Sequence, residues 1–508
     1  MNYDVIVIGA GHNGLVCATL LAKAGRKVLL LERRELVGGL CAGEEFYPGF
    51  RHTGFLTDTS GLRPWVVEAL DLREHGLTFD TKWPRIFSPA EQGDGVCVSC
   101  RPDGGSDLES LDASAWKRFF EFIDRVRPRI EPLVNEPPPD LAHAGLPEAM
   151  RLLQHGWSVR RLGKRDMMEL LRIPPMSAYD WLREWLPSEH LCALLALPAV
   201  AGTWMGPRSP GSATNLLVHL CTQQKPVAGG GNALVRALTG AARAAGVEIR
   251  TLAKVSRLTT NGRAVTGVEL EGGEALVSSR VVATCDPKQV FLNLLPRRLL
   301  GVKLESRISH YRMRGTTAQV FLALRGDVEW ASSHGARAHY IRTGSHLDQL
   351  ERAFDAVKYR RHSDRPVLDI HIPTRGQPDL APAESHVMSL QVHFAPYALE
   401  GGWTDSARER LGDGVISELE RFAPGIRAKV LAREVLSPAD VESRYGVSGG
   451  HIHHGEHALD QLLTRPVPEA FSYATPFVGL FLGGSGSHPG GGVTGAPGAL
   501  AARRVLAG

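Results

Sequence analysis

The sequence predicts an α/β protein of two domains. One is a helix-covered parallel sheet assembled from separated stretches of chain, and the other is a mixed sheet and helical domain. Three observations predict this fold. An apolar strand runs directly into a glycine-spaced turn and a helix near the N-terminus. Glycines precede an alanine-rich helix near the middle of the chain, and a glycine-rich loop lies between a strand and a helix near the C-terminus. The 508 residues suffice for more than one domain.

The first element is the apolar, β-branched run YDVIVIGA, which is typical of a buried parallel strand. Gly9, Gly11 and Gly14 follow in the pattern G-x-G-x-x-G. The first glycine permits a tight turn, the second lets the backbone approach a pyrophosphate, and the third lets the next helix lie close to the sheet. We expect that helix to end at Gly25, a favourable residue after a helix. The pattern therefore predicts a Rossmann-like dinucleotide site.

The next strand, KVLLLE, ends at Glu32. A carboxylate about twenty residues past the glycines accepts hydrogen bonds from a ribose diol and repels a 2′-phosphate. The paired Gly38 and Gly39 resemble the second dinucleotide motif of two-domain flavoproteins, so we expect FAD rather than NAD. Arg33 and Arg34 either reach the adenine side of the cofactor or are ordinary solvated charges.

The second stretch of the cofactor domain begins near Pro226. Gly229, Gly230 and Gly231 open the alanine-rich helix, and a strand (VEIRTLAKVSRL), a hairpin and a further strand ending at Asp286 follow. No second dinucleotide fingerprint, in which a strand runs directly into the spaced glycines, is found in the sequence, so a dedicated NAD(P)H domain is not expected. The electron acceptor is therefore expected to be another molecule, or to bind elsewhere.

Near the C-terminus, GLFLGG predicts a buried strand and SGSHPGGG a loop that closely approaches another group. The helix that follows has Pro497 near its first turn, a favoured position. A helix N-terminus offers free N–H groups, so Gly492 and Val493 are expected to place backbone donors at the flavin pyrimidine edge. Gly484 and Ser485 are expected to bind the cofactor as well. Further cofactor contacts are expected from His12, Asn13 and Val255.

These stretches define the expected domains. Residues 1–80, 226–290 and 471–508 form the FAD-binding domain, and residues 81–225 and 291–470 form the substrate-binding or lid domain. Residues 116–204 hold five of the nine tryptophans, interleaved with leucine and methionine. That segment is either ordinary helical core or a lid over an apolar substrate. The segment 159–165 (VRRLGKR) is rich in basic residues, and it is either solvated or rests on anionic lipid.

The composition argues against several classes of protein, namely nucleic-acid-binding and membrane-spanning proteins. The net charge is only +4 and no nucleic-acid-binding motif is present, so a nucleic acid partner is not expected. No apolar run reaches the roughly 18 residues of a membrane span, and no signal peptide pattern opens the chain. Seven scattered cysteines are typical of a reduced, intracellular protein. We expect a cytoplasmic protein, with peripheral membrane contact left open.

Cys41, in GGLCAGEEF, stands where disulfide reductases carry the first of two redox cysteines. The second would come five residues later, and that position is Phe46. A thiol relay needs a resolving partner, so disulfide reductase chemistry is not expected.

Several segments together resemble the phytoene desaturase-like FAD oxidoreductases, including GAGHNGLVCATLLAKAG, EEFYPGFRHTG and GSGSHPGGGVTGAPG. Within that group the sequence is most similar to the branch of pyridine nucleotide-disulfide oxidoreductase domain-containing proteins, through SPGSATNLLVHL and GGHIHHGEHALDQLLTRP. The resemblance implies a two-domain fold with non-covalent FAD. It also implies redox chemistry at a C–H or C=C bond of an apolar small molecule, with a quinone or O2 as electron acceptor. One departure is GGL, which replaces the Gly-Gly-Arg common in desaturases and amine oxidases.

Histidines are the candidate catalytic residues, because their ordinary pKa lies near neutrality. His451 and His454 belong to the pattern H-x-H-H-x-x-H. This segment is either an active-site wall, plain structure or a metal site, and we do not expect a metal there. His219 is a further candidate. We expect hydride transfer from a hydrophobic, polyene or lipid-like substrate to flavin N5. A flavin amine or amino-acid oxidase and a non-catalytic flavin-binding interaction protein remain as alternatives.

Overall fold

A computed structural model describes residues 3–91, 93–101, 108, 110–139, 145–332, 338–462 and 464–508. The expected cofactor domain is therefore described from Tyr3 onward, and its residues 1 and 2 lie outside the described residues.

The strands are β1 (Val5–Ile8), β2 (Val28–Leu31), β3 (Glu45–Tyr47), β4 (Phe50–Arg51), β5 (Arg85–Ser88), β6 (Val96–Ser99), β7 (Glu248–Arg250), β8 (Val255–Asn261), β9 (Ala264–Leu270), β10 (Ala275–Val277), β11 (Val281–Ala283), β12 (Thr317–Arg325), β13 (Tyr340–Arg342), β14 (Val367–His371), β15 (Ser385–His393), β16 (Val430–Leu436) and β17 (Leu480–Leu482).

The α-helices are α1 (His12–Lys23), α2 (Pro64–Ala69), α3 (Ser110–Asn135), α4 (Leu146–Arg160), α5 (Lys164–Arg172), α6 (Ala178–Trp185), α7 (Glu189–Val200), α8 (Ser212–Thr222), α9 (Gly230–Ala244), α10 (Gly301–His310), α11 (Leu347–Lys358), α12 (Asp405–Glu420), α13 (Ile426–Lys429), α14 (Pro438–Tyr445), α15 (Leu459–Leu462) and α16 (Ala496–Leu506). Short 3-10 or π segments are Gly39–Cys41, Gln289–Leu294, Arg297–Leu299, Pro373–Arg375, Pro378–Leu380 and Ser448–Gly450.

A five-stranded parallel sheet, in the order β17-β11-β1-β2-β7, forms the centre of the first domain. Its central strands VIVI and VLLL are buried along their whole length, as expected for a sheet covered on both faces. The register sets Val7 between Leu30 and Val282, with Phe481 opposite Val282 on the other side. Stretches far apart in the sequence thus supply adjacent strands, and the predicted fold class is confirmed.

The two faces of this sheet have separate cores. Side chains of α1, α9 and α16 pack into one apolar cluster, and side chains of the antiparallel sheet β10-β9-β8 pack into another. The predicted single strand over residues 247–258 was wrong, because it forms two strands in different sheets. Between them Leu252 has a φ of 54°, in the left-handed region that breaks a strand.

The second domain has a seven-stranded sheet in the order β16-β12-β15-β14-β13-β5-β6, in which only the β13–β5 pair is parallel among the described strands. Side chains from α3, α6, α7 and α8 form a helical core beside it. Trp116 and Trp181 are buried in that core, whereas Trp157 on α4 is exposed. The tryptophan-rich segment is therefore largely core. Among the described helices, none has the length and apolar character that crossing a bilayer requires.

Candidate cofactor and substrate site

The N-terminal glycine turn makes an open cradle. Gly9, with a φ of 95°, donates its N–H to the Leu31 carbonyl at 2.8 Å, which ties the turn to β2. A Cβ on Gly14 would lie 1.9 Å from the Gly9 oxygen, so only glycine lets α1 start this close to the strand. A Cβ on Gly11, in contrast, would meet no atom within 4 Å. The backbone at Gly11 is thus open to a ligand, as the spacing predicts.

A cavity of about 1120 Å³ lies over this turn and is called the cofactor cavity below. Its walls come from the ends of parallel strands, where α/β folds bind their ligands. The predicted cofactor residues that line it are Gly9, Gly11, His12, Asn13, Gly14, Glu32, Arg33, Gly39, Val255 and Ser485.

Glu32 is held at the end of β2 by two backbone groups. Its Oε2 accepts the Ala10 N–H at 2.8 Å, and its Oε1 accepts the Arg34 N–H at 2.9 Å. Each carboxylate oxygen keeps a further lone pair for a ligand hydroxyl. The carboxylate therefore lines the cofactor cavity in a fixed orientation with acceptor capacity to spare.

Arg33 lines the cofactor cavity and also makes hydrogen bonds that hold neighbouring backbone in place. Its Nη2 donates to the carbonyls of Ser443 and Arg444 at 2.7 and 3.0 Å, near the end of α14. Arg34 lies over the Tyr445 ring at 4.7 Å and pairs with Glu44 at 2.6 Å. Both arginines thus fasten α14 to the cofactor cavity rather than standing free in solvent.

The C-terminal glycine loop reaches the N-terminal turn directly. Asn13 Nδ2 donates to Ser485 Oγ at 3.1 Å, across 472 positions of sequence. Arg465, which is fully buried, donates from Nη2 to the Gly455 carbonyl at 2.9 Å and to the Ser485 carbonyl at 3.4 Å. The two glycine motifs therefore form one wall.

Two of the predicted cofactor glycines pack instead against protein. A Cβ on Gly38 would lie 2.6 Å from a Val235 methyl, and a Cβ on Gly484 would lie 2.3 Å from the Thr284 carbonyl oxygen. Neither residue lines the cofactor cavity. These glycines let α9 and the end of β11 approach closely, which is a packing role rather than direct contact.

Gly492 and Val493 line a second cavity, of about 1260 Å³, below called the inner cavity. The loop that carries them is tied to the start of α2, because Arg63 donates its N–H to the Thr494 carbonyl at 3.2 Å. The inner cavity shares Leu56 and Ile452 with the cofactor cavity. The two spaces are therefore neighbours that meet at these residues.

The three candidate histidines have different positions. His219, on α8, lines the inner cavity, and burial lowers its pKa below the ordinary 6.5. His454 lines the cofactor cavity, and burial lowers its pKa to about 3. His451 is fully buried and lines neither cavity; its Nδ1 accepts the His453 N–H at 3.3 Å. His451 is therefore part of the local scaffold.

The histidine-rich stretch does not converge as metal ligands do. No group of three or more metal-binding side chains is found among the residues that the structure describes. His453 and His457 stack with their ring centroids 4.7 Å apart, and His457 Nε2 accepts the Gly491 N–H at 3.1 Å. Their rings thus support the glycine loop.

A polar pair that the sequence does not predict lies at the far side of the inner cavity. Arg342 and Asp369 lie opposite each other on β13 and β14, and Arg342 Nε donates to Asp369 Oδ2 at 3.2 Å. Both line the inner cavity. Nothing in the sequence marks them, because they become neighbours only through strand pairing.

The Cys41 environment is that of a structural thiol. The side chain is fully buried, its Sγ lies 3.8 Å from His12 Nδ1, and burial raises its pKa to about 12. A thiol that stays protonated is a poor nucleophile. Cys41 is therefore not placed as a redox thiol in this structure.

Comparison with known proteins shows which protein family has this architecture. Residues 14–506 match the family described as flavin containing amine oxidoreductase. The chain belongs to this family. The family resemblance seen in the sequence is confirmed, the protein is an FAD-dependent oxidoreductase, and its cofactor is FAD.

Individual relatives extend over nearly the whole chain. Pyridine nucleotide-disulfide oxidoreductase domain-containing protein 2 of Rattus norvegicus is 36% identical over 548 aligned residues, covering 99% of this chain and 93% of the relative. Phytoene desaturase of Neurospora crassa is 24% identical over 535, covering 99% and 84%. The solved structure of an oxidoreductase from Methanosarcina mazei gives a TM-score of 0.60 at 16% identity, covering 99% of this chain and 100% of that one.

The residues of the cofactor cavity fit this family's cofactor. His12 Nε2, Asn13 Oδ1 and His454 Nδ1 are buried and make no hydrogen bond within the described residues. Buried polar atoms without partners are uncommon, and a polar ligand would satisfy them. The open backbone at Gly11 and the carboxylate of Glu32 add the features that a pyrophosphate and a ribose require.

Proposed function

We propose that this flavoenzyme dehydrogenates an apolar small molecule that carries one polar group. The observation that carries the proposal is the makeup of the inner cavity together with a third space of about 810 Å³ beyond it. The two spaces share seven lining residues, namely Asp58, Ser60, Pro198, His219, Gln223, Arg342 and Asp369. We call the two together the substrate cavity.

The walls of the substrate cavity are largely apolar. An apolar substrate gains free energy by leaving water for such a surface, at about 25 cal/mol per Å² of apolar area buried. The apolar side chains of the third space include Ile86, Val98, Trp116, Leu194, Leu195 and Leu220.

The Arg342–Asp369 pair forms a polar point in the substrate cavity, where the inner cavity and the third space meet. The Nη atoms of Arg342 donate no hydrogen bond within the described residues, so the outer edge of its guanidinium is available to a substrate oxygen. Burial raises the pKa of Asp369, and Arg342 offsets part of that rise. Such a pair orients an amphipathic substrate while its apolar body lies against the hydrophobic wall.

His219 is the candidate proton acceptor. It lines both parts of the substrate cavity and shares the inner cavity with Gly492 and Val493. When bound, FAD would supply the two-electron acceptor for a hydride from a substrate C–H bond. An imidazole nitrogen of His219 takes the proton from the neighbouring carbon, and the electrons of that C–H bond form the new C=C bond. A quinone or O2 would be the final electron acceptor.

The test is anaerobic reduction of the holoenzyme, followed as bleaching of the flavin absorbance. We expect bleaching with long-chain substrates that carry a carboxylate or hydroxyl, and weaker binding of the parent hydrocarbons. Arg342→Met should raise the substrate concentration needed for half-maximal bleaching about tenfold or more, the cost of a lost charged hydrogen bond. Equal reduction of all chain types by wild type and Arg342→Met would contradict the proposal.

Amine oxidation is a second candidate, favoured by a specific observation. Asp58 and Asp369 both line the substrate cavity, beside Arg63 and Arg342, and a carboxylate there attracts a cationic group. Release of peroxide with amines, and no bleaching with uncharged or anionic substrates, would select this alternative.

A further inference from the structure

One outward helix face of the second domain is apolar. On α4, Leu146, Met150, Leu153 and Trp157 follow one another at spacings of three or four residues, so they share one side of the helix. Leu146 is 83% exposed, Leu153 69% and Trp157 63%. Side chains of this size rarely lie together in water unless something covers them.

The next helix extends this apolar face. Met168 and Leu171, three residues apart on α5, are also exposed. Nearly half of the large apolar side chains that are exposed among the described residues lie within residues 111–171. We call Leu146, Met150, Leu153, Trp157, Met168 and Leu171 the α4–α5 surface.

The inner side of these helices is fastened to α3, so the apolar side is fixed outward. Arg129 Nε donates to the Ser158 carbonyl at 3.3 Å, and Arg151 pairs with Glu136 at 3.3 Å. Val159 packs against the helical core of the second domain. The exposed face is therefore the outer side of a docked helix.

Basic side chains border the α4–α5 surface. Arg161 lies over the Trp157 ring at 4.5 Å. Four cations at the junction of α4 and α5 form no ion pair within the described part of the chain: Arg160, Arg161, Lys164 and Arg165.

The nearby acids do not cancel this charge. Glu148 pairs with Arg151 at 2.6 Å, and Asp166 pairs with Arg125 at 2.6 Å. The junction between the helices therefore presents uncompensated positive charge beside exposed apolar side chains.

We propose that the α4–α5 surface docks the enzyme onto an anionic lipid bilayer. Apolar side chains that enter the headgroup boundary, with cations paired to lipid phosphates around them, are the features of an interfacial helix. A second copy of the chain fits this surface less well. A two-fold contact would set the same uncompensated cations against each other.

The helix that carries most of this surface is tied to the end of α3 that borders the substrate cavity. Arg151 contacts Glu136 just beyond the C-terminal end of α3, and Val134 in that end lines the inner cavity. Docking would therefore place on the lipid, where an apolar substrate dissolves, a helix that is tied to this wall of the cavity. The docking proposal does not rest on the proposed substrate, because it is tested by lipid binding alone.

The experiment is co-sedimentation of the holoenzyme with vesicles. Wild type should sediment with vesicles of equal parts phosphatidylcholine and phosphatidylglycerol, and should bind less at high salt. Leu153→Gln/Trp157→Gln should lose at least tenfold in vesicle partitioning. Because both side chains are exposed, its melting temperature should match wild type. The matched control, Leu252→Gln/Val302→Gln, removes two equally exposed apolar side chains elsewhere and should bind as wild type does.

A second measurement locates the contact. Brominated lipid in the vesicles should quench tryptophan fluorescence of wild type, and Trp157→Phe should lose most of that quenching while still sedimenting. Failure of wild type to bind the anionic vesicles would overturn the proposal. So would unchanged binding by Leu153→Gln/Trp157→Gln. A concentration-dependent dimer that this variant abolishes, without vesicle binding, would assign the surface to a second copy instead.

Discussion

Asn13 and Ser485, 472 positions apart in sequence, are joined by a hydrogen bond of 3.1 Å from Nδ2 to Oγ. Asn13 belongs to the first turn of α1, and Ser485 to the loop after β17. The bond closes the cofactor cavity, which both residues line. It also leaves Asn13 Oδ1 without a protein partner within the described residues, and therefore available to FAD.

Gly11→Ala should separate cofactor binding from folding. Gly11 has a φ of −68°, which alanine adopts freely, and its new methyl group would meet no protein atom within 4 Å. The free energy of unfolding of the apoprotein should therefore lie within about 0.5 kcal/mol of the wild-type value. The methyl would occupy the cradle, so FAD affinity should fall at least tenfold, measured by flavin fluorescence titration.

Gly14→Ala is the contrasting variant. Its methyl would overlap the Gly9 carbonyl, so the apoprotein itself should lose about 1–3 kcal/mol of stability. If both variants destabilise the apoprotein equally, the assignment of Gly11 to the cofactor is wrong.

Glu32→Ala should weaken FAD binding by about 1.5–3 kcal/mol, the usual contribution of a hydrogen bond to a charged group. Glu32 also accepts two backbone N–H groups, so the melting temperature of the apoprotein must be measured beside the FAD dissociation constant. Glu35→Ala removes a nearby exposed acid and serves as the control. Unchanged flavin occupancy in Glu32→Ala would refute the ribose assignment.

His219→Gln should lower the rate of flavin reduction about a hundredfold or more without loss of bound FAD, as for removal of a general base. The neutral imidazole is the competent form, and burial lowers its pKa below 6.5. The neutral form therefore persists to lower pH, so the wild-type rate should be level above pH 6.5 and fall only below it. The exposed His310→Gln is the control. If His219→Gln reduces its flavin at the wild-type rate, His219 is not the proton acceptor.

Cys41→Ser should leave turnover intact, because a buried thiol with a pKa raised to about 12 is protonated throughout the working range. Iodoacetamide should likewise fail to inhibit the native enzyme through this residue, since alkylation needs a thiolate. Loss of turnover in a variant that still folds and holds FAD would revive a thiol mechanism.

The cofactor side of the molecule was predictable because its signals are local. The glycine spacing and the carboxylate of Glu32 lie within one strand-helix-strand unit, where sequence distance fixes spatial distance. Gly38 and Gly484 were predicted to bind the cofactor from similar local patterns, although they pack against Val235 and Thr284. A glycine that serves close packing and one that faces a ligand look alike in sequence.

The substrate side was not predictable for a physical reason. Arg342 and Asp369 meet across two short strands, and the pairing of such strands depends on the whole sheet. His219 was recognisable as a candidate only by its residue type. Its place in the substrate cavity depends on how α8 packs in the second domain.

The most direct test of the central claim is hydrogen–deuterium exchange of the protein with and without FAD. The claim is that residues 9–14, 32–39 and 484–493 surround one cofactor molecule. FAD should slow exchange in all three segments together, and Gly11→Ala should weaken that protection in all three. Protection confined to the N-terminal segments, with the C-terminal glycine loop exchanging as in the apoprotein, would contradict the account.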